Sequence, residues 1–102
     1  MDELENNKGK ILIYQNEKGD TKIDVFFADD DIWLTQKALM ELYQVSKGSI
    51  SEHIKNIFED GELTEEATVR KFRTVQNEGG RDVMRELTHY NFQMVLAIGY
   101  RV

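Results

Sequence analysis

The sequence contains no cysteine, which excludes disulfides, thiolate zinc sites and a cysteine nucleophile together. It contains no proline either, so glycine and Asx residues are left to break its elements. His53 and His89 are the two histidines, too few for a histidine-rich metal site, and no cofactor is expected. No apolar run approaches the roughly 18 residues that a membrane helix needs, so no membrane partner is expected. The N-terminus, Met1-Asp2-Glu3-Leu4-Glu5-Asn6-Asn7, is acidic and polar, the opposite of a secretory signal. The expected location is therefore the cytoplasm.

What is present suits one globular domain. The 102 residues are 40% apolar and 10% aromatic, enough for a single core without covalent staples. Net charge is −6, a balance that argues against a nucleic-acid partner when taken as a sum. Its distribution argues otherwise. Residues 1–31 carry −5 and residues 59–66 another −5, leaving +4 on the segments 32–58 and 67–102.

Along the chain, residues 1–10 read as a flexible tail and 11–102 as the folded domain. Ile11-Leu12-Ile13-Tyr14, the turn cluster Asn16–Asp20 and Ile23-Asp24-Val25-Phe26-Phe27 read as a β-hairpin, closed by Ala28-Asp29-Asp30-Asp31. Trp33-Leu34 then leads into Thr35, an N-cap for a helix to about Tyr43. Ala38, Leu39, Leu42 and Tyr43 fall on one face of a 3.6-residue period. Ser46 caps a second helix, 46–58, whose apolar stripe is Ile50, Ile54, Ile57 and Phe58. His53 lies next to that stripe and reads as a packed histidine. After an acidic stretch at 61–68, Val69–Val75, the turn Gln76–Gly80 and Arg81–Leu87 read as a second hairpin. Asn91 caps an apolar helix over 92–98. The ending at Arg101-Val102 reads as a cut in a longer protein.

The stretch from Leu39 to Ser51 carries the mechanism. It has an apolar first helix, a short turn closed by Val45, then Ser46 as cap with Ile50 four positions on. In a helix-turn-helix, Leu39, Val45 and Ile50 meet to lock the helices together. The second helix would enter the DNA major groove N-terminus first, where the backbone dipole is positive. Lys47, Ser49, Ser51 and Lys55 then approach bases or phosphates, and Glu52 accepts from cytosine N4 or repels the backbone. Gly48 weakens the helix start by roughly 1 kcal/mol relative to alanine. The following hairpin stands where a wing would, with Arg70, Lys71, Arg73, Arg81 and Arg85 as phosphate contacts. Plainer readings stand beside these: an αα-hairpin in a core, and arginines on a solvated face pairing across strands, as Arg81-Asp82 and Arg85-Glu86 suggest.

Several blocks together resemble a known family. Trp33-Leu34-Thr35-Gln36, Ser46 with Ile50, His53-Ile54-Lys55-Asn56-Ile57-Phe58, Gly61-Glu62-Leu63, Tyr90-Asn91 and Gly99-Tyr100-Arg101-Val102 resemble the N-terminal region of the RhuM family of bacterial virulence-associated proteins. The resemblance implies a DNA-binding protein longer than this chain. Two positions depart from the pattern: Ser49 stands where the family usually has Asn, and Phe92-Gln93 where it tends to have Leu-Asp. Some relatives carry Fic/Doc names, but no HPFx-type motif occurs here, so adenylylation is not implied.

The expected fold is α+β: a winged helix-turn-helix-like domain with an N-terminal β-hairpin and a β-hairpin wing. The expected function is binding of double-stranded DNA, helix 46–58 reading the major groove and hairpin 69–87 contacting the backbone. The alternative is a protein-interaction or oligomerisation module, a homodimer or partner-binding unit, that keeps the fold without DNA. No enzyme is expected, since no nucleophile–base pair, phosphate loop or ligand set is visible.

Overall fold

Backbone hydrogen bonding divides the chain into nine elements, and the computed structural model describes residues 10–15 and 22–102. In chain order they are β1 (Lys10–Gln15), β2 (Lys22–Ala28), β3 (Asp31–Thr35), α1 (Gln36–Tyr43), α2 (Lys47–Glu59), α3 (Glu65–Thr68), β4 (Val69–Glu78), β5 (Arg81–Asn91) and α4 (Phe92–Gly99). The strands form one sheet in the order β1-β2-β3-β5-β4, antiparallel at every pairing. The mixed class expected from the sequence is the class adopted. Apart from Lys10, which opens β1, the expected tail lies outside the described residues, as does the turn cluster Asn16–Asp20. The N-terminal hairpin is formed, with Lys10↔Phe27 and Gln15↔Lys22 at the ends of its register.

The sequence reading missed β3. It ended the hairpin at residues 28–31 and ran Trp33-Leu34 directly into a helix. Asp29 and Asp30 instead both take positive φ, 54° and 60°, the pair of left-handed residues that a two-residue hairpin turn requires. Aspartate tolerates this conformation because its side chain bonds locally. The chain thus reverses into Asp31–Thr35, a central strand buried on both faces, whose apolar residues show no alternation. The second hairpin is also longer than expected. Its turn is Gly79-Gly80 alone, φ 62° and 83°, so Gln76, Asn77 and Glu78 remain in β4. β5 continues past Leu87 to Asn91 and pairs with β3 through Trp33↔Asn91, Leu34↔Tyr90 and Thr35↔His89. That pairing joins the two hairpins into one sheet.

The helix starts follow their caps. Thr35 Oγ1 accepts from the Ala38 amide at 3.1 Å, Ser46 Oγ from Ser49 at 3.1 Å, and Asn91 Oδ1 from Met94 at 3.2 Å. Each bond satisfies an amide with no partner inside its helix. α1 ends at Gln44 in the left-handed region (φ 57°), and the turn Gln44-Val45-Ser46 leads into α2.

Two apolar clusters occupy opposite faces of the sheet. Ile23 and Leu34 meet Ala38 and Leu39 of α1, Ile50, Ile54 and Ile57 of α2, and Met94, Val95, Ala97 and Ile98 of α4, with Val45 packed against them. Leu39, Val45 and Ile50 thus share one core, as the helix-turn-helix spacing predicts. Burying each such aliphatic side chain contributes roughly 1.5–3 kcal/mol. The other cluster holds Phe26, Ala28 and Trp33 with Phe72 against them, and the Trp33 indole N–H donates to the Ala28 carbonyl at 3.0 Å. His89 joins it, its ring 5.5 Å from Phe26 and 5.3 Å from Phe72. No described helix is long and apolar enough to cross a membrane.

Candidate nucleic-acid interface

With Ile50, Ile54 and Ile57 buried, α2 turns its opposite side to solvent. Lys47, Ser51, Glu52 and Lys55 are exposed there, while Ser49 and His53 are half-buried. Lys47, Ser51 and Lys55 recur at every fourth position and so share one face. The ammonium groups of Lys47 and Lys55 have no carboxylate partner among the described residues. Ser51 does have a partner: Gln36 Nε2 donates to its Oγ at 2.6 Å and to the Lys47 carbonyl at 3.3 Å. The first residue of α1 therefore bridges to the first two turns of α2, and the Ser51 hydroxyl keeps its own hydrogen for donation.

The hairpin cations divide into two groups. Arg70 pairs with Asp29 and lies 5.3 Å over the Trp33 ring, so it holds the β2–β3 turn to β4. Arg85 grips Glu78 with two bonds, at 3.0 and 2.8 Å. Each partner of this forked pair favours the charged form of the other: the Glu78 carboxyl is held below its usual range and Arg85 above its own. The sequence reading had these arginines pairing across strands, and Arg85 does so. Neighbours along a strand point to opposite faces, so Arg85 meets Glu78 on the paired strand, and Asp82 accepts from Asn77 at 3.3 Å. Lys71, Arg73 and Arg81 are exposed and have no carboxylate partner among the described residues.

One groove brings parts of both sets together. Its walls include Gln36, Lys37 and Met40 of α1, Lys47 of α2, and Glu78, Arg85 and Tyr90 of the hairpin. Lys47 and Arg85 thus face one space, whereas Ser49, Ser51, Glu52, Lys55, Arg70, Lys71, Arg73 and Arg81 do not line it. The sequence reading missed Lys37, because a lysine in the first turn of a helix carries no signal until the hairpin curls over it. It also left His89 without a role. Its Nδ1 lies 2.8 Å from the Leu87 carbonyl, and burial pushes its pKa down, opposed in part by that carbonyl. Among the described residues, no group of three or more histidine and carboxylate side chains is placed to hold a metal ion.

The elements from Ala67 to the C-terminus contain two of the sequence blocks, Tyr90-Asn91 and Gly99-Tyr100-Arg101-Val102. Asn91 caps α4 and its Nδ2 donates to the Ala67 carbonyl at 3.2 Å. Gly99 lies against Tyr43, whose hydroxyl would be 2.8 Å from any added Cβ; that hydroxyl donates to the Val95 carbonyl. Arg101 bridges Asp60 and Glu62 at 3.1 and 2.9 Å. Residues 67–102 match the family model of the virulence protein RhuM family. The RhuM resemblance read from the sequence is borne out over that span, which takes in the end of α3, the β4–β5 hairpin and α4. The blocks at 33–36 and 53–63 precede the matched residues. No curated protein and no solved structure shows a significant match to this chain.

Proposed function

We propose that this RhuM-like chain is a DNA-binding module of the winged-helix kind. α2 enters the major groove N-terminus first, and the β4–β5 hairpin lies as a wing along the sugar–phosphate backbone. The observation that carries this reading is the open polar face of α2, where Lys47, Ser51 and Lys55 repeat along the helix from its capped, dipole-positive end. The hairpin supports it with Lys71, Arg73 and Arg81, cations that form no ion pair among the described residues. Arg70 and Arg85 are positioning residues in this reading, because each already holds a carboxylate. The reading assigns no catalysis.

The test is fluorescence anisotropy with a random-sequence duplex across a salt series. Binding falls as salt rises, because each neutralised phosphate releases counterions. Lys47→Ala, Lys55→Ala and Arg73→Ala each weaken binding and reduce the salt slope by roughly 1. Wild-type affinity in all three, with no salt dependence, overturns the reading.

A second reading, a protein-interaction or oligomerisation module, has its own observation. Phe92, Leu96 and Tyr100 are 48%, 46% and 88% exposed at every fourth position of α4 and its cap, an apolar row facing solvent. Sedimentation at rising concentration addresses it. Self-association abolished by Leu96→Glu supports it, and a monomer throughout counts against it.

A further inference from the structure

Residues of α1 and of the sheet, Phe26 and Trp33 among them, together line a cavity of about 170 Å³, separate in its lining from the proposed DNA-facing residues. Its base is buried and polar. His89 is 2% exposed and Thr74 6% exposed, and both line it. A carbonyl only accepts hydrogen bonds, so the contact to Leu87 O puts a proton on His89 Nδ1. In the neutral ring Nε2 is then a bare acceptor, and it has no hydrogen-bond partner among the described residues. Thr74 Oγ1 accepts from Gln76 Nε2 at 2.8 Å, which leaves the Gln76 carbonyl oxygen as another acceptor.

The rim carries charge in unequal amounts. Asp24 of β2 and Glu41 of α1 face one ammonium, Lys37. Lys37 and Glu41 stand one helical turn apart, yet neither they nor Asp24 forms an ion pair among the described residues. Carboxylates therefore outnumber cations, His89 Nε2 and the Gln76 carbonyl oxygen add acceptors, and the Phe26 and Trp33 rings supply an aromatic wall. That combination suits a planar cation bearing N–H groups, which bonds along its edge and stacks by its face.

We propose that this cavity binds a small guanidinium- or amidinium-bearing ligand, its N–H edge on His89 Nε2 and its charge balanced by Asp24 and Glu41. The site is independent of the DNA-binding reading and stands or falls without it. The same chemistry is available from a free compound or from an arginine side chain, so two probes are used: methylguanidinium and the peptide Gly-Arg-Gly. Methylurea, of similar shape but uncharged, is the control.

The readout is the ring ¹⁵N spectrum of the histidines, followed by titration with each probe. A saturable shift of His89 Nε2 with either cation, and none with methylurea, is the expected result; the tighter cation identifies the source. Glu41→Gln, on the rim of the cavity, leaves the fold's amide spectrum intact and weakens binding roughly tenfold, the loss of one charge-assisted bond. No saturable shift, an equal response to methylurea, or an unchanged affinity in Glu41→Gln overturns the proposal.

Discussion

In the RhuM-matched segment, Asn91, Gly99 and Arg101 hold other elements: a cap with a strand-to-helix tie, a close approach by Tyr43, and a bridge to Asp60 and Glu62. In α2, by contrast, Lys47, Glu52 and Lys55 face solvent and hold nothing among the described residues. The polar residues named in these two places are put to opposite uses. The family's recognisable blocks in residues 67–102 thus record how the domain is assembled. Residues that meet a partner have to be sought where the structure leaves side chains free.

Substitutions sharpen this contrast. The largest effect is expected at Gly99. In Gly99→Ala the new Cβ meets the Tyr43 hydroxyl at 2.8 Å, and such overpacking costs roughly 1–3 kcal/mol. Chemical denaturation reads the loss, and Tyr43→Phe in the same chain recovers part of it by removing the clashing oxygen. Asn91→Ala comes next, at about 1–2 kcal/mol, because it removes the α4 cap and the bond to the Ala67 carbonyl together.

A third effect depends on pH. His89 is buried neutral with its pKa lowered below 6.5, so the unfolded chain takes up a proton before the folded chain does. Its contribution to stability is full above the unfolded pKa, near 6.5, and is lost as pH falls through that value towards the folded pKa. Denaturation midpoints measured from pH 8 to 5 are expected to fall as pH drops below the unfolded value, and to fall less in His89→Gln. The groups facing this histidine are the Leu87 carbonyl, the Phe26 and Phe72 rings, and the cavity residues Asp24, Lys37 and Glu41. Arg101→Ala should lower the melting temperature less than Asn91→Ala, since its carboxylates are largely exposed and surface pairs are weak.

The smallest stability change belongs to Lys55→Ala, within about 0.5 kcal/mol. Its effect is expected in DNA affinity instead. A substantial stability loss there, with Gly99→Ala tolerated, would reverse the contrast between the two regions.

Much of the fold was legible because it is written locally. Thr35, Ser46 and Asn91 are cap residues in front of periodic apolar stripes, and each does cap a helix. β3 was not legible because Asp29-Asp30 lacks the glycine that usually marks such a turn, and because a strand buried on both faces loses its alternation. The end of β5 was hidden for a related reason: His89-Tyr90-Asn91 is polar in sequence, and only pairing with β3 on one side and β4 on the other makes it a strand. Of the candidate interface, the exposed residues of α2 were legible from the helical period. The engagement of Arg70 with Asp29 and of Arg85 with Glu78 was not, since both depend on strand register. His89, Asp24 and Lys37 come from different elements, and nothing local announces that they border one cavity.

The most direct test of DNA binding through α2 is a ¹⁵N–¹H correlation titration of the protein with a random-sequence duplex, at low salt and again at high salt. The expected result is a set of shifts at Lys47, Ser51 and Lys55, with Arg73 on the hairpin, that fade as salt rises. An unchanged spectrum at low salt, or shifts confined to Phe92, Leu96 and Tyr100, would contradict it.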